Sequence, residues 1–355
     1  MFTALMSQKT IIPAIIPVAF LLIAILAGCP FSSHYKYNEA WLPEDPAPII
    51  DFNSVYNDMN ATAPFFGTYV PLAFSSDRSS KGDNYDIISK TFEISFDRDD
   101  ASLNAGNLTR FASENSEVFE KIQEALPVIN SPANEFGPYL RSFMEMGVDD
   151  LVYSYKRFLI LFSSDRNGTL DIFMSYDTRP GSDSLSEFIP PLPILASPDC
   201  NESYACFDRD YSHLYFCSDA AGDYNICSVP LGEGKSVMDL LSNLPDTASV
   251  ISVLNSDKDD KCPYICENLM VFCSDREGGY GGFDLYYSMN NGEGWSPPVN
   301  LGPKINSTYN EYRPVYEYLD EFRNDLLIFS SDRPGGQGGY DLYYVGVSKL
   351  TSKDR

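Results

Sequence analysis

Histidine, the side chain most often used for acid–base chemistry near neutral pH, is rare in this sequence. His34 lies close to the N-terminus, and His213 follows Asp210-Tyr211-Ser212 in a turn. A Ser-His-Asp arrangement needs an imidazole that its neighbours hold in place, and a turn position of this kind does not favour one. The sequence has neither a Walker-type phosphate loop nor the His-Glu-x-x-His motif of zinc hydrolases. We therefore predict no catalytic triad, no metal site and no cofactor.

Carboxylates are abundant enough to support a different chemistry. The chain has 50 Asp and Glu residues against 25 Lys and Arg, which gives a formal net charge of −25. Two carboxyl groups that face each other across a pocket can hydrolyse a glycosidic bond, but nothing in the spacing singles out a pair. No catalytic residue is therefore predicted. The acidic balance also argues against nucleic acid as a partner, since sequence-independent binding to DNA or RNA needs a basic surface.

Seven of the eight cysteines fall between residues 200 and 273. Cys217 and Cys273 stand where other copies of a repeated motif have serine, which is typical of small buried strand residues. Because an odd number is present, at least one thiol stays free, and the lack of a close Cys pair with a nearby histidine disfavours zinc. Four others could form a disulfide cluster in an exported protein. They are Cys200, Cys206, Cys262 and Cys266.

Much of the chain consists of a segment that occurs five times. Its clearest copy, residues 328–345 (IFSSDRPGGQGGYDLYYV), predicts two strands joined by a glycine-rich turn. A motif of the form Asn-Ser-x-x-Asn-Glu-x-x-Pro precedes it at residues 306–314. The ordered pair recurs at intervals of roughly 50–90 residues, which indicates one supersecondary unit per copy. We predict an all-β fold, a five-bladed β-propeller of four-stranded antiparallel blades.

The residues that recur between copies are assigned structural roles, because one residue per blade cannot form a single catalytic site. The arginine of the hairpin is expected to pair with acids such as Glu135 and Glu311. The first hairpin aspartate is expected to accept backbone N–H groups within its tight turn. These residues are Asp77, Asp165, Asp219, Asp275 and Asp332, followed in four copies by Arg78, Arg166, Arg276 and Arg333. A second aspartate belongs to the same structural repeat and appears as Asp86, Asp171, Asp284 and Asp341.

The hairpin with its Ser-Asp-Arg and Tyr-Asp-Leu-Tyr motifs, preceded by the Asn-Glu motif, resembles the WD-like β-propeller repeat of the TolB type. The resemblance covers about residues 41–346. The third copy departs from the pattern, since Ala220 and Asn225 stand where Arg and Asp are expected. The resemblance implies a periplasmic or surface propeller used for binding, and it does not by itself imply an enzyme.

Closure of the ring is expected to involve the N-terminal segment. Trp41 precedes Asn57 by nearly the same interval as Trp295 precedes Asn310, and no equivalent strand follows the fifth hairpin. We therefore predict that residues 41–50 supply the outer strand of the last blade. Such closure removes two exposed strand edges that would otherwise invite aggregation.

Segments that differ between copies are the places where a specific function is expected. Residues 113–126 have apolar side chains at helical spacing, which predicts a helix before a short outer strand. Residues 236–242 predict a second short helix. A six-bladed ring, with an extra blade from residues 87–128, is the alternative architecture. The three insertions are residues 99–126, 141–158 and 233–250.

The N-terminus predicts a lipid anchor. An apolar run at residues 11–27 ends in the sequence LAGC, whose Cys29 resembles the acylated cysteine of the bacterial lipobox. Each buried CH₂ contributes about 0.8 kcal/mol, so several acyl chains would hold the protein on a membrane. An uncleaved transmembrane anchor is the alternative. The predicted divisions are a signal peptide at 1–29, a tether at 30–40, the propeller at 41–348 and a tail at 349–355.

Together these features predict a protein anchored by lipid to the bacterial outer membrane, on its periplasmic or surface side. The expected role is to bind or scaffold unidentified envelope proteins without catalysis, with contact to the cell wall only through a partner. The alternative is a carbohydrate-active enzyme or a glycan-binding protein that uses carboxylates in the propeller channel.

Overall fold

The computed structural model describes residues 39–64, 67–107, 116–146, 154–178, 187–232, 236–245 and 247–350. The predicted signal peptide and Cys29 lie outside this part of the chain. Aromatic and β-branched runs in the repeated hairpins favour extended backbone, and strands accordingly dominate the described residues.

The secondary structure follows the repeat closely. In chain order, the strands are β1 (Ala47–Pro48), β2 (Asp58–Thr62), β3 (Tyr69–Ser76), β4 (Asp86–Asp97), β5 (Ser102–Asn107), β6 (Glu135–Met146), β7 (Ser154–Ser164), β8 (Asp171–Tyr176), β9 (Leu192–Leu195), β10 (Glu202–Phe207), β11 (His213–Ser218), β12 (Asn225–Pro230), β13 (Ser249–Val250), β14 (Asp260–Cys266), β15 (Leu269–Ser274), β16 (Asp284–Met289), β17 (Val299–Asn300), β18 (Glu311–Glu317), β19 (Asp325–Ser331) and β20 (Asp341–Val347). The helices are α1 (Ser116–Ile129) and α2 (Val237–Leu241).

Five antiparallel sheets of four strands each form a ring, so the predicted five-bladed propeller is confirmed and the six-bladed alternative is wrong. From the inner to the outer strand, the first four blades are β2 to β5, β6 to β9, β10 to β13 and β14 to β17. The fifth blade has the order β18, β19, β20 and β1. The inner strands β2, β6, β10, β14 and β18 each contact the inner strands of the neighbouring blades. They therefore surround the central channel.

The N-terminal segment closes the ring, as predicted. In β1, Ala47 lies opposite Tyr344 and Pro48 lies opposite Tyr343 of β20. The side chain of Asn324 also holds Leu42, whose N–H donates to Oδ1 at 2.9 Å while Nδ2 donates to its carbonyl at 3.0 Å. The paired strand has only two residues. Further backbone hydrogen bonds, from Ile49 to Leu342 at 2.8 Å and from Gly346 to Pro43 at 2.7 Å, extend the attachment.

The insertions are only partly as predicted. Helix α1 is present, but it follows the outer strand β5 instead of preceding it. Val118, Ile122 and Ile129 are buried with residues of the first two blades, so α1 packs over the junction between those blades. Helix α2 matches the predicted second helix, and the insertion at 141–158 lengthens β6 and β7.

The first hairpin aspartate joins two strands of its own blade. In the last blade, Asp332 accepts the backbone N–H of Asn310 at 2.8 Å and its side-chain amide at 2.8 Å. The prediction placed its partners within the tight turn, whereas the carboxylate accepts the N–H of the residue that precedes the inner strand. Turn N–H groups are accepted by the second aspartate, as when Tyr280 and Gly281 donate to Asp284. The same Asn–Asp contact recurs at Asp77, Asp165 and Asp219, and Asp275 accepts a backbone N–H alone.

The hairpin arginines pair with the acid that begins each inner strand, as predicted. Arg333 donates to Glu311 at 2.7 Å and to the carbonyl oxygen of Ile305 at 2.7 Å. Its guanidinium also lies 5.2 and 5.3 Å from the ring centres of Phe329 and Tyr343, a cation–π geometry. The equivalent pairs are Arg78–Asp58, Arg166–Glu135 and Arg276–Asp260.

The third blade lacks this arginine, because Ala220 takes its place. Glu202 is buried there, with one carboxyl oxygen unpaired and the other accepting from the Cys200 thiol at 3.0 Å. Burial raises the pKa of Glu202, and the charge of Asp171 raises it further.

We expect Ala220→Arg to stabilise the protein by about 1–2 kcal/mol, because it supplies the charged hydrogen-bond donor that Glu202 lacks. Thermal unfolding at pH 7 would measure the change. The control is Ala220→Gln, which adds a comparable side chain without the charge. Equal melting temperatures for the two variants would contradict the prediction.

Candidate active site

A pocket opens where the inner strands end. Because each blade repeats the same order of strands, the inner strands run in the same direction along the channel and their last residues meet on one face. The pocket has a volume of about 200 Å³ and lies between the ends of β10, β14 and β18 and the middle of β6. Its charged side chains come from Arg141, Asp208, Arg209, Glu267 and Glu317.

Glu317, the last residue of β18, is the most perturbed carboxyl group of the pocket. Burial raises its pKa to about 7. The N–H of Tyr318, which donates to Oε1 at 3.2 Å, and the charge of Arg141 both lower this pKa. The negative charges of Glu267 and Asp325 raise it further. Burial therefore moves the pKa of this carboxyl group from its ordinary acidic value into the neutral range.

Arg141 approaches from the second blade. Its guanidinium stacks 4.5 Å from the ring centre of Tyr139 and donates to the carbonyl oxygen of Leu140 at 3.2 Å. It also makes a hydrogen bond to Tyr264. Among the described residues, no carboxylate forms an ion pair with it. Its charge is therefore directed toward the pocket and Glu317.

A second carboxylate comes from the turn between β14 and β15. Glu267 has φ +57, a left-handed conformation that suits a tight turn. Its carboxylate accepts from Arg209 at 2.6 Å and keeps about half of its side-chain surface exposed. Asp208 is engaged differently, because it accepts the N–H and the hydroxyl of Ser212 at 2.7 and 2.5 Å and shapes its own turn. Of the two, Glu267 is the more available to a ligand.

Aromatic rings form one wall of the pocket. Phe207 lies 5.3 Å from Tyr211 and 5.9 Å from Tyr139, measured between ring centres. Tyr139 lies 6.3 Å from Tyr264. A small cavity with an aromatic wall and a few convergent polar groups is typical of sites for small polar ligands.

A larger groove of about 660 Å³ lies between the fourth and fifth blades, beside Trp41 and Val299. Its carboxylate, Glu44, is exposed and bound to Lys304 at 2.9 Å. The groove therefore has no buried acid, and the channel pocket is the better candidate for chemistry.

The repeated residues lie away from this pocket. Glu311, the partner of Arg333, begins β18, whereas Glu317 ends it. The sequence-based reasoning missed Glu317, Glu267 and Arg141 because none of them recurs between blades. His213 forms part of the turn around Asp208, with Nδ1 2.9 Å from the Ser212 hydroxyl. The Ser212 hydroxyl donates to Asp208 and lies beside the imidazole, so these contacts stabilise the turn and do not form a Ser-His-Asp triad.

All seven cysteines of the described region are free, so the disulfide cluster considered from the sequence is not formed. Cys200 contacts Glu202, and Cys206 is buried on β10. Cys262 instead lies beside Cys217, whose sulfur accepts its N–H at 3.0 Å. A bond between Cys200 and Cys266 is excluded by position, because Cys200 precedes the first residue of its inner strand and Cys266 ends its own. Within the described ranges, no group of His, Cys, Asp and Glu could hold a metal ion.

No helix in the described part of the chain is long and apolar enough to cross a membrane. The predicted acylation of Cys29 and the outer-membrane location stay predictions.

No family model and no curated protein sequence matches the chain. Solved structures with a similar fold include the catalytic domain of a GH62 α-L-arabinofuranosidase from Coprinopsis cinerea, at 9% identity, covering 86% of this chain and 96% of that one with a TM-score of 0.48. An α-L-arabinofuranosidase from Lactobacillus brevis matches at 11% identity, 83% and 91% coverage and a TM-score of 0.44. A thermostable family-43 glycoside hydrolase matches at 11% identity, 84% and 91% coverage and a TM-score of 0.46.

These comparisons correct the predicted function. The similar structures are glycoside hydrolases, which contradicts the predictions of a scaffolding module without catalysis and of a protein that is not an enzyme. They agree better with the carbohydrate-active alternative. At about 10% identity the similarity shows the fold alone. The TolB-type resemblance stays a prediction.

Proposed function

We propose that the protein is a carbohydrate-active enzyme that hydrolyses a glycosidic bond in the pocket at the mouth of the propeller channel. The observation that carries the proposal is Glu317, a carboxyl group with a pKa of about 7 in a cavity that a second carboxylate shares. Glycoside hydrolysis needs this combination, one carboxyl group that gives a proton and one that acts as a base or nucleophile.

Glu317 is the proposed general acid. Its burial keeps a proton available at neutral pH, as a leaving-group oxygen requires. Arg141 contributes a positive charge that favours the carboxylate left after proton transfer. The same charge keeps the pKa of Glu317 near neutrality instead of higher, so the group can be protonated again after each turnover.

Glu267 is the proposed second carboxylate. It raises the pKa of Glu317, which places its charge within the electrostatic reach of the acid. The ion pair with Arg209 orients its carboxylate at the rim of the pocket. The aromatic wall around Phe207 and Tyr211 offers an apolar face against which a sugar ring can pack.

The volume of the pocket limits the substrate. About 200 Å³ is below the range of roughly 300–1,000 Å³ that drug-sized ligands occupy. The cavity therefore suits one sugar ring, and the proposed reaction releases a terminal sugar from a glycan or an aryl glycoside.

The proposal predicts a specific pH dependence. Because Glu317 must be protonated to act, kcat/KM should fall through pH 7 and decrease by about tenfold per pH unit above it. The raised pKa also means that the folded state binds more protons than the unfolded state between pH 4.5 and about 7. The contribution of Glu317 to the free energy of unfolding therefore decreases as pH rises through this window.

A panel of 4-nitrophenyl glycosides, assayed from pH 4 to 9 together with chemical denaturation, measures both effects. The proposal would be overturned if the protein hydrolysed none of these substrates and none of a set of plant and bacterial glycans. Activity that is independent of pH between 6 and 9 would remove Glu317 from the role of acid.

A further inference from the structure

Four blades bind the guanidinium group of their own hairpin arginine in the same way. In the last blade, Arg333 donates from Nε to the hydroxyl of Ser331 at 3.1 Å and from Nη2 to Glu311 at 2.7 Å, and it lies over the ring of Phe329. We call such a set, a strand serine, the acid that begins the inner strand and a phenylalanine ring, a guanidinium site. The other three consist of Ser76, Asp58 and Phe74, of Ser164, Glu135 and Phe162, and of Ser274, Asp260 and Phe272.

The third blade keeps the three components of this site but has no arginine to fill it. Glu202 begins β10 and lies opposite Ser218 of β11, as the acid and the serine lie opposite each other in the last blade. Phe216 precedes Ser218 by two residues, which is the position of the ring in the other blades. Ala220 stands where the arginine is expected. The blade therefore has a guanidinium site without a guanidinium group of its own.

The two polar side chains of this site converge on one point. The sulfur of Cys200 lies 3.0 Å from Oε1 of Glu202 and 3.9 Å from Oγ of Ser218. Glu202 and Ser218 therefore face the same small volume, as their counterparts do around an arginine. A thiol is only a weak donor and has no positive charge, so Cys200 does not replace the guanidinium group.

Glu202 lacks a positive partner at this point. Its Oε2 is buried and has no hydrogen-bond partner, and no cation in the described part of the chain forms an ion pair with it. Burial raises its pKa most, and the charges of Asp171 and Asp219 raise it further. The Cys200 thiol and the N–H of Ser197 lower this pKa, but both are neutral donors. A cation at this point would offset the cost of burying the carboxylate.

The site is open to a ligand from the surface. Ala220 and Cys227 are smaller than Arg333 and Tyr343, which occupy the same positions in the last blade, and Ala220 is exposed. Glu202 is 8% exposed, whereas the acids that begin the other four inner strands are completely buried at 0%. The replacement of two large side chains by small ones therefore uncovers part of the acid.

We propose that the third blade binds the guanidinium group of a ligand through the carboxylate of Glu202, the hydroxyl of Ser218 and the ring of Phe216. A guanidinium group matches this set because it is planar, donates to two acceptors at once and stacks on an aromatic face. Cys200 is partly exposed, so its thiol turns toward solvent when the ligand enters. The proposal is independent of the hydrolysis, because Glu202 begins its inner strand whereas the channel pocket lies where the inner strands end.

L-argininamide is the probe, and L-lysinamide is the control with the same charge but no planar fork. Titration calorimetry should show one saturable site for L-argininamide and binding at least about tenfold weaker for L-lysinamide. The melting temperature should rise with L-argininamide at constant ionic strength, because a ligand that binds only the folded state stabilises it. A Gly-Arg-Gly peptide distinguishes the two sources of the group. Tighter binding of the peptide assigns the site to an arginine within a polypeptide, and weaker binding assigns it to a free guanidinium compound.

Variants test whether the ligand occupies this site. Ala220→Arg supplies the guanidinium group from within the chain, so it should abolish the binding of L-argininamide. Ala221→Arg adds the same charge at the next exposed position and should preserve binding. Glu202→Gln should weaken binding by about tenfold or more, whereas Cys200→Ala removes the competing thiol and should strengthen it. The absence of saturable L-argininamide binding to the unmodified protein, or undiminished binding to Ala220→Arg, would overturn the proposal.

Discussion

Replacing Glu317 with glutamine should lower kcat/KM by about 10²–10⁴-fold, the usual contribution of a positioned general acid. Glutamine keeps the shape of the side chain and can still accept the Tyr318 N–H, so the fold is expected to persist. Glutamine has no acidic proton, so the decrease of kcat/KM above about pH 7 should be absent in this variant. The measurement is the rate of hydrolysis of the best glycoside of the panel, and a melting curve for each variant checks that it is folded.

The matched control is Glu44→Gln in the groove between the fourth and fifth blades. Glu44 is exposed and ion-paired, so its replacement should leave hydrolysis unchanged. Glu267→Gln should also reduce kcat/KM. The pH at which kcat/KM begins to decrease should shift by less than one unit, because Glu317 is still present. An aryl glycoside with a very good leaving group needs less proton assistance, so the loss in Glu317→Gln should be smaller on that substrate. Full activity of Glu317→Gln on every substrate would refute its assignment as the acid.

Gly137→Ala should cost about 2–5 kcal/mol of folding free energy, combining overpacking with a strained backbone. A Cβ at this position would lie 2.3 Å from Cδ1 of Tyr204, and the residue has φ +53. The Tyr204 ring cannot move aside easily, because the guanidinium of Arg313 and the ring of Tyr312 pack against it. Chemical denaturation would measure the loss.

Gly168→Ala is the control for this prediction. Its φ is +109, further from the left-handed region that L-residues can adopt than the φ of Gly137, and no atom lies within 4 Å of the Cβ that would be added. The control therefore carries at least as much backbone strain without the clash, and any excess loss in Gly137→Ala is a lower bound on the cost of the contact with Tyr204. A loss in Gly137→Ala well below that of the control would show that a methyl group fits beside Tyr204 and would contradict the prediction.

Much of the architecture could be predicted from the sequence because its determinants are local. Each copy carries its own turn glycine, strand residues and first aspartate, and four of the five carry the arginine, so five copies predict five blades without knowledge of how they meet. The strand that closes the ring could also be predicted from the repeat. The fifth copy has no outer strand after its hairpin, and the N-terminal segment has the Trp-to-Asn spacing of one. Helix α1 was predicted from its apolar spacing, but its place after β5 was not, because spacing says nothing about order.

The candidate site could not be predicted, because it depends on residues that do not repeat. Glu317, Glu267 and Arg141 come from three different blades and meet only after the ring has closed. Their chemistry is also a tertiary property, since burial and neighbouring charges raise the pKa of Glu317 from an ordinary 4.5 to about 7. The repeated aspartates and arginines dominated the sequence pattern, yet they hold each blade together far from the pocket.

What the sequence determined by itself is therefore the unit and its number, through short-range signals of turn and strand that all five copies carry and an ion pair that four of them carry. What only the tertiary structure decided is the content of the channel, where the inner strands of neighbouring blades pack together and the strand ends form the pocket. The physical reason is that both sets of residues interact across the ring. Their distances are set by closure of the five blades, and no spacing along the chain records them.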